Sequence, residues 1–441
     1  MRMRSVNSAV LCCVVMLATT LAACGDGIGP PRTSPPATIV PDGRYAVDTV
    51  PYWHLIGNAV TPGQDTISIA VTAPADAEVV DVWVSGGAGQ RLVADPATGR
   101  FTGDLEIGAL AAGEHEILIA ANGANAAVAR VLFSRTHPLY FLLSTDWDYS
   151  EPGQVSLDYH DQIRSGHPDV KFTHFIGPYT FTDPNLAEAR KAELAAWAIA
   201  RRDQYGDEIG LHIHPYCHFV VSAGLTCNTI DSTVYQTDAS GYTIRVEAYG
   251  QAGFETLLGH ADDLFTARGL GKPVTFRAGG WTASVDTLKA LAAKGYVADT
   301  SANNWARMEE WRGMGSLYTW NMTNWASIGD TSQPYYPNTT DKLSGAAPNV
   351  PILEVPDNAI MVDYVTRAEM VAIFAQNWPG PGLSEPRTFM MGFHPSPSMS
   401  VEEYRRIDGI LDHADLYLAS LHAGPVVYAR LQDMPAVWPR P

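Results

Sequence analysis

The chain has 441 residues, 46% hydrophobic and 17% charged, and a formal net charge of −18. That apolar share fills a large core and excludes a disordered chain. The acidic balance argues against a nucleic-acid partner, which needs basic surface, and 441 residues suggest two domains.

Residues 1–23 open on Met1-Arg2-Met3-Arg4, run through the apolar stretch from Ala9 to Ala18 and end on Leu21-Ala22-Ala23, just before Cys24. A basic start, a short apolar run and small residues at the end read as an export signal rather than a membrane span. The Leu-Ala-Ala-Cys string resembles the lipobox of bacterial lipoproteins. That resemblance implies cleavage before Cys24, lipidation of Cys24, and an exported bacterial lipoprotein anchored to the membrane through it. An ordinary signal peptide with a chance cysteine is the alternative. Losing Arg2 and Arg4 with the leader takes the charge from −18 to about −20. Cys12 and Cys13 leave with the leader, so Cys217 and Cys227 remain in the folded part. An exported protein can keep a disulfide, and their spacing permits one.

Residues 24–42, with Gly-Pro-Pro, Ser-Pro-Pro and Pro-Asp-Gly strings, read as a Pro-rich tether. From 43 to 135 the pattern is β. Thr66–Val71, Val79–Val84, Arg100–Leu105, Glu116–Ala121 and Ala127–Phe133 are separated by Gly, Asp and Pro clusters. This predicts a small all-β sandwich of immunoglobulin-like type, serving as a spacer or a carbohydrate-binding module.

Residues 136–441 alternate strand and helix. Predicted strands are Leu139–Leu143, Lys171–Ile176, Glu208–His212, Val274–Arg277, Tyr296–Asp299, Ile352–Val355, Phe389–Phe393 and Val426–Ala429. Predicted helices are Leu186–Arg202, Phe254–Arg268, Ser284–Lys294, Arg367–Trp378 and Val401–Tyr417. The expectation is an α/β fold, a deformed (β/α) barrel of about seven to eight strands. A barrel puts its chemistry at the C-terminal strand ends, where Asp146, Asp148, His212, His214, Arg277 and His394 all fall.

Two strings stand out, Ser144-Thr145-Asp146-Trp147-Asp148 and Glu208-Ile209-Gly210-Leu211-His212-Ile213-His214-Pro215. Side chains two apart on a strand share a face, so each string projects a pair of polar groups together. Two imidazoles and a carboxylate are a common zinc ligand set with room for a water, on which the second aspartate could act as base.

The ordered set resembles the polysaccharide deacetylase family, metal-dependent esterases that remove N-acetyl groups from sugar polymers. Thr145-Asp146-Trp147-Asp148 stands where that family has Thr-Phe-Asp-Asp, and Glu208-Ile209-Gly210-Leu211-His212 where it has Glu-Ile-Gly before two histidines. Phe276-Arg277-Ala278-Gly279-Gly280-Trp281, Gly295-Tyr296-Val297-Ala298-Asp299-Thr300-Ser301 and Met390-Met391-Gly392-Phe393-His394-Pro395 follow in the family's order. The resemblance covers residues 137–430. It implies a divalent metal, Zn²⁺ above all, held by Asp148, His212 and His214. It also implies Asp146 as the base, Arg277 beside it, His394 as the acid and Asp299 as an orienting group. The family's usual histidines are four apart, which makes His218 the reserve ligand to this chain's His-x-His-Pro form. Trp147, Trp281 and Trp305 are candidates for stacking on sugar rings. The implied substrate is an acetylated glycan. Rival readings are an amidohydrolase acting on a small amide or cyclic imide, and a non-catalytic glycan-binding lipoprotein.

Overall fold

The computed structural model describes residues 29–311 and 316–441, and the side chains of all of these except 309–311. The leader 1–23 and Cys24 lie outside the described residues. Among the described residues no helix is long and apolar enough to cross a membrane.

The N-terminal part is built from two facing sheets. One runs in the order Trp53–Leu55, Ala129–Thr136, Gly113–Ala121, Val80–Val84, Gln90–Arg91; the other is Ala46–Val47, Thr66–Thr72, Arg100–Glu106, Val93–Asp95. Thr66–Thr72 shows why they pack: Ile67, Ile69 and Val71 alternate inward and meet Val80, Val82, Ile117, Ile119 and Phe133 of the other sheet. The ladders are antiparallel, except that Trp53–Leu55 runs parallel to the end of Ala129–Thr136.

The Pro-rich segment departs from a free tether. From residue 29 on it is extended but docked: the Trp83 indole donates to the Arg32 carbonyl (3.0 Å), Arg91 to the Gly29 carbonyl (2.8 Å), and Thr38–Ile39 pairs with Ala126–Ala127. Proline fixes an extended backbone whose free carbonyls still accept hydrogen bonds.

The second part carries a parallel sheet of β1 (Leu139–Asp146), β2 (Phe172–Ile176), β3 (Glu208–Ile213), β4 (Thr275–Ala278), β5 (Ala298–Asp299), β6 (Leu353–Glu354), β7 (Ile360–Met361), β8 (Arg387–Phe393) and β9 (Val426–Ala429). The sheet order is β6-β5-β4-β3-β2-β1-β8-β7, with β9 also on β1. β1 pairs with β2 through Leu143–Asp146 and with β9 through Leu139–Leu142, so these two strands share one edge of it. β6 and β7 do not pair with each other. Instead the segment first bonds to the β5 side, the Val355 and Asp357 amides donating to Asp299 and Ala302, and then to β8, the Ala359 and Val362 amides donating to Met390 and Gly392. One bulged stretch of chain therefore curls the sheet nearly shut.

Helices α1 (Gln154–Gly166), α2 (Glu188–Tyr205), α3 (Gly250–Ala267), α4 (Val285–Ala293), α5 (Arg367–Asn377) and α6 (Val401–Asp415) accompany the strands. Hydrophobic periodicity predicts all but α1. The buried face of α1 includes Ser156, His160 and Arg164, so its apolar signal is weak. Capping boxes at Ser284, Thr366 and Ser400 start α4, α5 and α6.

The sandwich is seated on the barrel's N-terminal strand ends. Asn58 and Thr61 bond the hydroxyl of Tyr140 at the start of β1, and Gln64 donates to the Ala419 carbonyl (2.9 Å). Arg135 is fully buried there, giving its guanidinium to Asp65 (2.8 Å) and to the Gln64 and Leu55 carbonyls. Such a buried cation persists only because each contact offsets its desolvation. The opposite, C-terminal end of the strands is left for the cleft.

Candidate active site

β1 ends on Asp146, and Asp148 follows on the same side; β3 ends one residue before His214. The cleft at this end has a volume of about 390 Å³ and is lined by Asp146, Asp148, His212, His214, Trp281 and His394 among others.

Asp148 is the hub. Its Oδ1 lies 3.1 Å from His212 Nε2, 3.2 Å from His214 Nε2 and 3.8 Å from His394 Nε2. The far nitrogens are all tied. His212 Nδ1 donates to the Arg277 carbonyl (2.9 Å) and His214 Nδ1 to the Tyr242 carbonyl (2.7 Å). Because a carbonyl only accepts, each Nδ1 carries the proton and each Nε2 is left with a lone pair facing Asp148. Gly279 allows this packing, since a Cβ there would come within 2.7 Å of the His214 ring. Burial raises the Asp148 carboxyl pKa, but the charge on His394, joined by His214 and His212 when these carry a second proton on Nε2, outweighs it and holds the group well below the usual carboxylate range. Ligand atoms of Asp148, His212 and His214 lie within 4.8 Å of one another. An ionised carboxylate and two imidazoles with fixed tautomers are a donor set that fits a divalent cation.

Asp146 lies beside this group and faces Arg277, which is fully buried. The guanidinium donates to Asp146 Oδ1 (3.0 Å), to Ser144 Oγ (2.8 Å) and, through Nε, to the Thr300 carbonyl (3.2 Å). On its other side Arg277 approaches Asp357 Oδ2 at 3.4 Å. Burial pushes Asp357 up to about 6, against the pull of Arg277. The Trp281 indole also donates to Asp357 (3.2 Å), while the Trp281 carbonyl accepts from Trp325 (2.9 Å). Trp281 sits at φ +57°, strained for a bulky residue, and these two bonds hold it in the cleft wall.

His394, just past β8, completes the constellation. Its Nδ1 donates to Asp363 (2.8 Å), leaving Nε2 toward Asp148. Burial pulls its pKa down, but the carboxylates of Asp363 and Asp148 outweigh that and raise it to about 10. The ring therefore keeps its proton at neutral pH.

Asp146, Asp148, His212, His214, Arg277 and His394 are thus brought together. His218 is not: it bonds Thr182 Oγ1 (2.9 Å) and stacks on Tyr216, away from Asp148. Asp299 is turned away as well, bonding Ser301 beside Glu354. Trp147 is core, packed against Trp197, and Trp305 packs edge-on to Tyr318, so of the three tryptophans only Trp281 lines the cleft. Cys217 and Cys227 are joined by a disulfide.

Three partners escape the sequence reading. Asp363 lies two residues past β7, as Asp148 does past β1, and that shared position was a usable signal. Asp357 lies in the stretch between β6 and β7, which carries none of the ordered motifs. Tyr242 belongs to a loop with no strand-end pattern, and its hydroxyl donates to Asp148 Oδ2 (2.9 Å).

No family model matches the chain, and no curated protein does. Solved structures of similar outline include a Mycobacterium smegmatis protein provisionally named a polysaccharide deacetylase, 14% identical, covering 67% of this chain and 88% of that one with a TM-score of 0.39. Another is a family 4 carbohydrate esterase from Streptomyces lividans in complex with acetate, 11% identical, covering 63% and 88% with a TM-score of 0.30. A third is a 4-alpha-glucanotransferase from Thermococcus litoralis, 9% identical, covering 67% and 39% with a TM-score of 0.36. Likeness at this level leaves the reaction to be read from the residues in the cleft.

Proposed function

We propose that the protein is a metal-dependent hydrolase of polysaccharide deacetylase type that removes acyl groups, N-acetyl above all, from a glycan at the cell surface. One observation carries this reading: three imidazole Nε2 atoms surround a single Asp148 oxygen, in one cleft with an aspartate pinned by a buried arginine. Asp148, His212 and His214 would hold the ion, with Zn²⁺ the choice that suits a nitrogen-rich set. When bound, a divalent metal polarises the acyl carbonyl and lowers the pKa of a water.

The chain's own residues do the rest. Asp146 takes the proton of the attacking water, and the contact with Arg277 (3.0 Å) holds its carboxylate in place. His394, its Nδ1 held by Asp363, offers the Nε2 proton to the departing amine, which leaves only when protonated. Trp281 and Asp357 keep Arg277 from swinging, because each bonds the next.

In this reading Cys24 anchors the exported chain and the sandwich is a spacer. Its seat at the barrel end opposite the cleft supports that role. The test is bound-metal content together with acetate release from acetylated chitooligosaccharides, peptidoglycan fragments and acetyl-xylan, with and without chelator. Near-stoichiometric metal and chelator-sensitive release are expected. A metal-replete protein that releases no acetate from any of them would sink the glycan reading.

A second reading keeps the chemistry and shrinks the substrate. The cleft volume of about 390 Å³ lies at the small end of the range for ligand-sized sites, which favours a glycan end or a small amide over mid-chain attack. Relative rates on short and long substrates separate the two.

A further inference from the structure

Part of the cleft wall does not belong to the strand–helix alternation. Residues 228–245 follow the short helix Cys217–Ser222 and return over the strand end that carries His212 and His214. The loop is tied into itself. Ser232 and Ile244 form an antiparallel bridge, the Ser232 and Thr243 hydroxyls bond at 2.7 Å, and Asp238 accepts from the amides of Ser240 (2.9 Å) and Thr243 (2.7 Å). It is also tied to its base, by the Cys217–Cys227 disulfide and by the Cys217 amide donating to the Ser240 carbonyl (2.8 Å).

Gly241 makes the close approach possible. It sits at φ +82°, and a Cβ there would stand 2.4 Å from the Pro215 carbonyl oxygen and 3.0 Å from the Cys217 nitrogen. The next residue, Tyr242, then reaches two of the candidate ligands by two different groups. Its backbone carbonyl accepts from His214 Nδ1 (2.7 Å), and its hydroxyl donates to Asp148 Oδ2 (2.9 Å). Its ring lies against His214 at 4.4 Å and stacks on Tyr149 at 5.0 Å.

We propose that residues 228–245 form a disulfide-stapled clamp that sets the metal affinity of the site, with Tyr242 as the positioning residue acting through Asp148 and His214. The inference rests on the metal-centre reading above and deepens it. The carbonyl contact fixes which His214 nitrogen carries the proton. The phenol occupies one carboxylate oxygen and leaves Oδ1 as the single ligand atom of Asp148. Both contacts depend on where the loop lies, which the staple and Gly241 set.

The test measures Zn²⁺ affinity of the full-length protein by competition with a chelating dye, alongside the unfolding midpoint of the metal-free protein. Tyr242→Phe is expected to weaken Zn²⁺ binding about tenfold, the low end of the loss when an outer partner of a ligand is removed, with the metal-free midpoint unchanged. Gly241→Ala should weaken it further, because it displaces both contacts. The Cys217→Ala/Cys227→Ala pair should weaken it several-fold, and combined with Tyr242→Phe the losses should fall short of multiplying, since the two changes share the Tyr242–Asp148 contact. If Tyr242→Phe binds Zn²⁺ as tightly as the parent, or only its metal-free midpoint falls, the clamp is overturned while the metal centre stands. If the cysteine pair leaves affinity unchanged, the staple is overturned. A parent protein that binds no Zn²⁺ overturns both the clamp and the metal-centre reading.

Discussion

Two clusters in this molecule share a composition, two histidines and an aspartate with ligand atoms within 4.8 Å: Asp148–His212–His214 and His160–His174–Asp207. They differ in where their hydrogen bonds go. In the first, both Nδ1 atoms are satisfied by backbone carbonyls, and the Nε2 lone pairs turn toward a carboxylate at the cleft. In the second, Arg164 takes both oxygens of Asp207 (2.6 and 2.7 Å), the Phe172 amide adds a third bond, and His174 bonds Asp207 and Thr145. All three residues of the second cluster are buried between α1, β2 and α2. A guanidinium already neutralises the carboxylate there, so a second cation would meet repulsion. The same residue types give a candidate cation site or a structural knot according to what holds their other atoms.

That contrast can be broken experimentally. Asp148→Ala should abolish bound metal and hydrolysis together, measured by metal analysis and acetate release; retained metal would mean that the histidines bind it without the hub. Asp146→Asn should leave metal content intact and lower kcat by about 10²–10⁴-fold, the usual contribution of a positioned base. An equal loss of metal would instead make Asp146 a ligand.

Asp207→Asn should do the reverse. It strands the buried Arg164, so denaturant unfolding should show a loss of roughly 3–5 kcal/mol with metal content unchanged. Loss of metal in that variant would overturn the structural reading of the second cluster.

The smallest effect is a pH dependence. Burial pulls the pKa of His160 down to about 4, from an ordinary 6.5. Between these values the unfolded chain holds a proton that the folded chain does not, so stability falls as pH drops from about 6.5 to 4, by roughly 2–3 kcal/mol for this ring. Asp207, lowered to about 2 because His174 and Arg164 outweigh burial, adds a further loss below about pH 4. In His160→Gln the slope of unfolding free energy between pH 6.5 and 4 should flatten; an unchanged slope would assign it to other groups.

Sequence alone was enough for the first cluster and not for the second. Asp146, Asp148, His212 and His214 are legible because strands alternate faces and a parallel barrel gathers its strand ends. His160 and Asp207 carry no such spacing: one lies on a helix with a polar buried face, the other just before β3. The same limit applies to the partners that tune the site. The resemblance implied Arg277, near the end of β4, beside Asp146, but its second carboxylate, Asp357, depends on the stretch between β6 and β7. Asp363 reaches His394, and Tyr242 reaches Asp148, across 31 and 94 residues of chain. What the sequence determined by itself was the parallel strands other than the two-residue β7 (Ile360–Met361), and the chemistry at their ends, because both follow from local periodicity. What only the tertiary structure decided was which carboxylates stay free to bind a cation and which are already paired, because that depends on hydrogen bonds between residues far apart in the chain.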